Sequence, residues 1–76
     1  MNPKIKKYYD ERPFYETYKG WTIRTHKWEC KYIGTITDYV CDVSPGVESC
    51  QASNIEMIYE WIDQKIKEGK TQQEDI

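Results

Sequence analysis

His26, Cys30, Cys41 and Cys50 are the residues whose types carry nucleophilic or metal-ligating chemistry. A thiol nucleophile needs an imidazole within hydrogen-bond reach and a third group to orient that imidazole. Within one extended strand, His26 and Cys30 stand roughly 13 Å apart at ~3.3 Å per residue. Only a turn at Lys27-Trp28-Glu29 would bring them face to face, and no third residue offers itself. One histidine and three cysteines are also a legitimate zinc ligand count. Compact zinc sites draw their ligands from close pairs such as Cys-x-x-Cys, whereas no two cysteines here lie nearer than nine residues. Cysteines so spaced read as small core hydrophobes. The expectation is therefore no catalytic residue, no metal and no cofactor.

Other chemistries lack their residues as well. Gly20, Gly34, Gly46 and Gly69 are isolated and form no phosphate-cradling loop. The carboxylates are spread over a helix and loops, so no acid–base pair can be nominated. Not an enzyme is the expectation that follows.

The elements that must position any site are legible from pattern. Residues 1–13 are polar and bracketed by Pro3 and Pro13, which reads as a flexible or loosely docked arm that Ile5, Tyr8 and Tyr9 lay on the surface. Alternation begins at Phe14, breaks at Lys19-Gly20 and resumes over Trp21 to His26, the pattern of a tight hairpin. A third run spans Trp28 to Ile33 and a fourth Thr35 to Val43, with Gly34 either a turn or a bulge between them. Ser44-Pro45-Gly46 follows with type II turn chemistry. The last element is helical. Ser53-Asn54-Ile55-Glu56 reads as a capping box, Ile55, Ile58, Tyr59, Ile62 and Ile66 recur at helical spacing, and Gly69 suits the C-terminal cap. Lys65, Lys67 and Lys70 lie near the negative end of its dipole.

These elements make one α+β domain over residues 14–69. A small antiparallel sheet of three to four strands, a meander, carries one C-terminal helix packed across one face. Neither an isolated hairpin nor an isolated helix is stable in water, so each must cover the other. Residues 70–76 have nothing to bury and read as a disordered tail.

Charge and aromatics bear on partners. Residues 1–34 carry eight Lys/Arg against four Asp/Glu, and residues 35–76 carry three against nine, a split of +4 and −6. Seven Tyr and three Trp exceed what a 76-residue core hides, so several are expected on the surface. With Trp21, Ile23, Cys30 and Tyr32 inward, Lys19, Arg24, His26 and Lys31 share the outer face beside Tyr15, Tyr18 and Trp28. Cations interleaved with aromatics grip phosphates and stack on bases. The helix presents Glu56, Glu60 and Asp63 instead, an acidic stripe suited to a basic partner. The candidate partner-binding residues are thus Tyr15, Lys19, Arg24, Trp28, Lys31, Glu56 and Glu60. No apolar run approaches a membrane span, and the basic start lacks the apolar stretch of a signal peptide. An odd cysteine count at wide spacing is not a secreted disulfide framework. A cytoplasmic protein of unspecified oligomeric state is expected.

The run Tyr18-Lys19-Gly20-Trp21-Thr22-Ile23, two further strands and the helix Ile58-Tyr59-Glu60-Trp61-Ile62 resemble small strand–strand–strand–helix proteins encoded by phages and mobile elements. Some of those inhibit host defence systems such as CRISPR–Cas complexes. That resemblance covers about residues 14–68 and implies a non-enzymatic protein-binding module, an inhibitor or adaptor acting on a host protein complex. The layout is also similar to the arm-type DNA-binding domain of tyrosine recombinases, which implies nucleic-acid binding through the hairpin face. An acidic helix and few sheet cations rank that second.

Overall fold

The computed structural model describes residues 3–44 and 47–72. In chain order these form α1 (Pro3–Glu11), β1 (Phe14–Tyr18), β2 (Trp21–Cys30), β3 (Gly34–Ser44), β4 (Glu48–Ala52) and α2 (Ile55–Lys67). The four strands make one antiparallel meander in the order β1-β2-β3-β4, with α2 across one face. This is the expected α+β architecture.

Lys19 and Gly20 both take positive φ, 50° and 84°, which the right-handed twist of a two-residue hairpin demands. Alternation then carries Trp21 and Ile23 onto the helix side, where both are buried. The strand does not stop at His26. β2 runs unbroken to Cys30 and pairs with β3 from Arg24↔Val40 to Cys30↔Gly34. The third run expected over Trp28–Ile33 is therefore the end of β2 plus the turn Lys31–Ile33, because Lys27 continues the period-2 pattern rather than breaking it. Gly34 opens β3 with φ 102°, a turn exit and not a bulge. β4 is a strand that sequence did not reveal. Its residues Glu48-Ser49-Cys50-Gln51-Ala52 are poor β-formers, and pairing with Tyr39–Ser44 imposes the conformation. The Pro45-Gly46 turn lies outside the described residues.

α2 buries Ile58 and Ile62 against Trp21, Ile23, Cys41 and Ala52. Each isoleucine so buried contributes roughly 1.5–3 kcal/mol. The helix begins one residue later than expected. Asn54, not Ser53, is the N-cap, and its Oδ1 accepts from the Glu56 amide at 2.9 Å. At the other end, Lys70 N donates to Lys65 O and Gly69 N to Ile66 O, with Gly69 at φ 83°. That is a Schellman cap, as the sequence implied.

Two terminal segments carry structure that the sequence pattern did not announce. Residues Pro3–Glu11, within the segment expected to be a flexible or loosely docked arm, form a helix, with Lys6 four residues before Asp10 and Lys7 four before Glu11. The expected surface role of Ile5, Tyr8 and Tyr9 lies outside the described side chains. The tail begins ordered: Lys70 pairs with Glu48, and Gln72 is inserted into the sheet. Residues 73–76 lie outside the described residues.

Gln72 sits where β2 and β3 splay beyond the Arg24↔Val40 pair. Its Oε1 accepts from Thr22 N at 2.7 Å, while its Nε2 donates to Thr22 O at 3.1 Å and Asp42 O at 2.9 Å. A side-chain carboxamide thus takes the place of the missing rung of the ladder and hydrogen-bonds the strand groups that face it.

Candidate functional site

The distal half of the β2–β3 ribbon is where the fold leaves most unpaired. β1 accompanies β2 only as far as Phe14↔Arg24, and β4 accompanies β3 only from Tyr39 onward. Thr25 N donates to Pro13 O at 3.0 Å, so the Thr25 backbone faces the β1 side. Strand alternation turns Lys27 and Glu29 the same way, and Thr35 and Thr37 toward the β4 side. Beyond Thr25 and Tyr39 neither edge of the ribbon is paired with another strand among the described residues.

The ribbon's two faces differ. On the helix side it shows Lys27, Glu29, Thr35 and Thr37, all exposed, with Thr35 Oγ1 donating to Glu29 at 2.7 Å. On the reverse side His26 lies opposite Asp38 and Trp28 opposite Ile36. Asp38 is buried and accepts from Trp28 Nε1 at 2.7 Å and Gln51 Nε2 at 2.8 Å, which fixes the indole against the strand. His26 Nδ1 is buried without a hydrogen-bond partner among the described residues. At the tip Tyr32 is 88% and Ile33 77% exposed, with Lys31 Nζ 5.8 Å from the Tyr32 ring. Tyr32 was expected inward; the turn at Lys31–Ile33 takes it out of the strand alternation altogether. Cys30, also expected inward, lies on the face away from α2, since it shares parity with Arg24, His26 and Trp28.

The sequence-nominated cations do not gather. Lys19 lies at the β1–β2 turn, 2.8 Å from Asp63, whose carboxylate also accepts from Tyr18 Oη at 3.1 Å. The hydrogen bond from Lys19 holds the Asp63 carboxyl below its ordinary range. Arg24 is half-buried and donates to Arg12 O at 3.1 Å. Lys31 is at the far end of the ribbon. The three therefore sit in three environments rather than on one basic face.

The remaining candidates are also apart. Tyr15 is the bulged residue of β1 and packs edge-on against Tyr39, ring centroids 4.9 Å apart. Glu56 and Glu60 lie exposed on α2. Asp63, the third member of that stripe, is taken by Lys19. Sequence reasoning missed Tyr32 and Ile33 as exposed apolar residues, and Asp38 and Gln51 as the supports of Trp28. The Gly34 punctuation was the available signal, since it separates a turn from the strand that follows.

His26 and Cys30 remain on one continuous strand, so no thiol–imidazole contact arises. Cys41 faces Cys50 across β3–β4 on the α2 side, the opposite face from His26. Burial pushes the Cys41 thiol up to about 12, and no group of three or more potential metal ligands is gathered among the described residues. No helix among them is long and apolar enough to cross a membrane. Comparison with protein-family models, curated proteins and solved structures finds no match to this chain.

Proposed function

We propose that this chain is a non-enzymatic protein-binding module that docks a partner through the tip of the β2–β3 ribbon. The observation that carries this reading is the pair Tyr32 and Ile33, the most exposed aromatic and one of the most exposed aliphatic side chains described, held on a projecting turn. A tyrosine supplies large contact area at low entropic cost and is a common anchor of protein interfaces. In this reading the module works in the cytoplasm as an inhibitor or adaptor of a host protein complex of the kind phages and mobile elements target.

Nucleic-acid binding is the second reading, and the dispersal of Lys19, Arg24 and Lys31 counts against it. Phosphate contacts need cations at duplex or single-strand spacing, and two of these three already serve internal partners. A photoreactive crosslinker at position 32 and another at position 60 separate the readings. The expected result is one host protein crosslinked from position 32 and not from 60, lost when Ile33 is replaced by Ser. Labelled duplex or single-stranded DNA is expected to show no retention at ~100 mM salt. Salt-sensitive DNA binding abolished by Lys19→Glu/Arg24→Glu/Lys31→Glu would reverse the order.

A further inference from the structure

The open β2 edge reads Lys27-Trp28-Glu29, with Lys27 and Glu29 turning their backbone N–H and C=O groups outward. An exposed edge is a template for another strand, and charged side chains on it ordinarily repel what passes. Here the charges come in an order that opposes most sequences and matches its own reverse. A second copy laid antiparallel about a twofold axis through Trp28 sets Lys27 against the second copy's Glu29 and Glu29 against its Lys27. Opposite charges directly across a strand pair are favourable, and like charges are not.

The main chain fits the same axis. Among the described residues, nothing bonds the Lys27 and Glu29 amide and carbonyl groups on this side, so each would exchange both hydrogen bonds with its counterpart. Trp28 spends its backbone on Ile36 and would fall at the closer, non-hydrogen-bonded position opposite the other Trp28. Its indole is 40% exposed and is held in place by Asp38, so an aromatic pair forms without a search for rotamers. The free edge from His26 to Cys30 is also the length that such a pairing uses, since Pro13 occupies the Thr25 amide and the turn begins at Lys31. Lys27, Trp28 and Glu29 are all exposed. Neither Lys27 nor Glu29 makes a salt bridge among the described residues.

We propose that the chain forms a twofold dimer by β2-to-β2 edge pairing, with the Lys27–Glu29 exchange as its specificity determinant. This proposal is independent of the tip reading, because it engages the edge and leaves Tyr32 and Ile33 to a different surface. It is an isologous interface, in which each contact occurs twice. The pairing is short, so association is weak and is read by sedimentation velocity at protein concentrations up to about 1 mM.

Charge reversal tests it. Lys27→Glu places two glutamates against two glutamates, and Glu29→Lys places lysines against lysines, so each variant alone is expected to be monomeric. Mixed, the two variants restore opposite charges at every position and are expected to associate as a heterodimer. The double exchange Lys27→Glu/Glu29→Lys is expected to dimerise like the wild type. Both side chains are exposed, and far-UV circular dichroism checks that each variant folds. As a second readout, dilution of the wild type is expected to shift the amide resonances of Thr25–Cys30 and spare those of β4. A wild type monomeric throughout the range, a dimer indifferent to single reversal, or a mixture that stays monomeric would each overturn the proposal.

Discussion

Two residues show how local chemistry sets stability here. Asn54 accepts the Glu56 amide, and the cap geometry leaves Ser53 outside the helix. Asn54→Ala is expected to cost about 0.5–2 kcal/mol in a urea melt, with Ser53→Ala close to neutral. Asp42 works the other way. It is buried on β3, and loss of hydration pushes its carboxyl up to about 6 from the ordinary 3.8. The folded state then binds this proton more tightly than the unfolded chain does. Stability from Asp42 therefore falls as pH rises from about 4 to about 6, and the penalty is complete above that. Glu48 and Asp63 carry the opposite sign. Hydrogen bonds from Lys65 and Lys70 lower the first and one from Lys19 lowers the second, so their stabilisation is present above the ordinary carboxylate pKa and lost as pH falls further. Urea melts are expected to show greater stability at pH 5 than at pH 7. Asp42→Asn should remove that difference and raise stability at pH 7 by about 1–2 kcal/mol, reduced from the full shift for residual hydration. Equal stability of the two proteins at pH 7 would contradict it.

Among the elements, α2 closes the sheet's apolar face, and Ile62 is fully buried there. Ile62→Ala is expected to cost about 2–5 kcal/mol, read as a lowered denaturation midpoint with an unchanged slope. The helix, the Lys19-Gly20 hairpin and the Gly69 cap were legible because each is written in local residues: a 3.6-residue stripe, a dipeptide suited to positive φ, a glycine after the last isoleucine. β4 was not legible, since its strand character comes from neighbours and not from Ser49, Cys50 or Gln51. The site was legible in part. Trp28 and Lys31 were placed on the ribbon, but the unified basic face dissolved because Lys19 finds Asp63, 44 residues away in sequence. Contacts at that separation leave no periodic trace. The placing of Tyr32 failed on register, because a three-residue turn resets which face a side chain meets.

At the scale of the whole molecule, the ends of the chain hold the sheet as much as its middle does. Lys65 and Lys70 converge on Glu48, tying α2 and the segment after it to β4. Tyr59 donates to Glu16 and stacks on Tyr18, tying the same helix to β1. The two outer strands are thus fixed through α2, while β2 and β3 run on past it as a free ribbon. Between those inner strands, the carboxamide of Gln72 supplies a rung that neither strand's backbone provides. The consequence is kinetic. The frequency with which this end of the β2–β3 pair opens is set by a segment that belongs to no strand and leaves without unfolding one. Gln72→Ala is expected to accelerate hydrogen exchange at the Thr22 amide while leaving the amide of Ile58, in the core of α2, at its wild-type rate. Gln72→Glu, which sets a carboxylate against the carbonyls of Thr22 and Asp42, should do so more strongly. Unaltered exchange at Thr22 in both variants would mean that the strands hold this end shut without the rung.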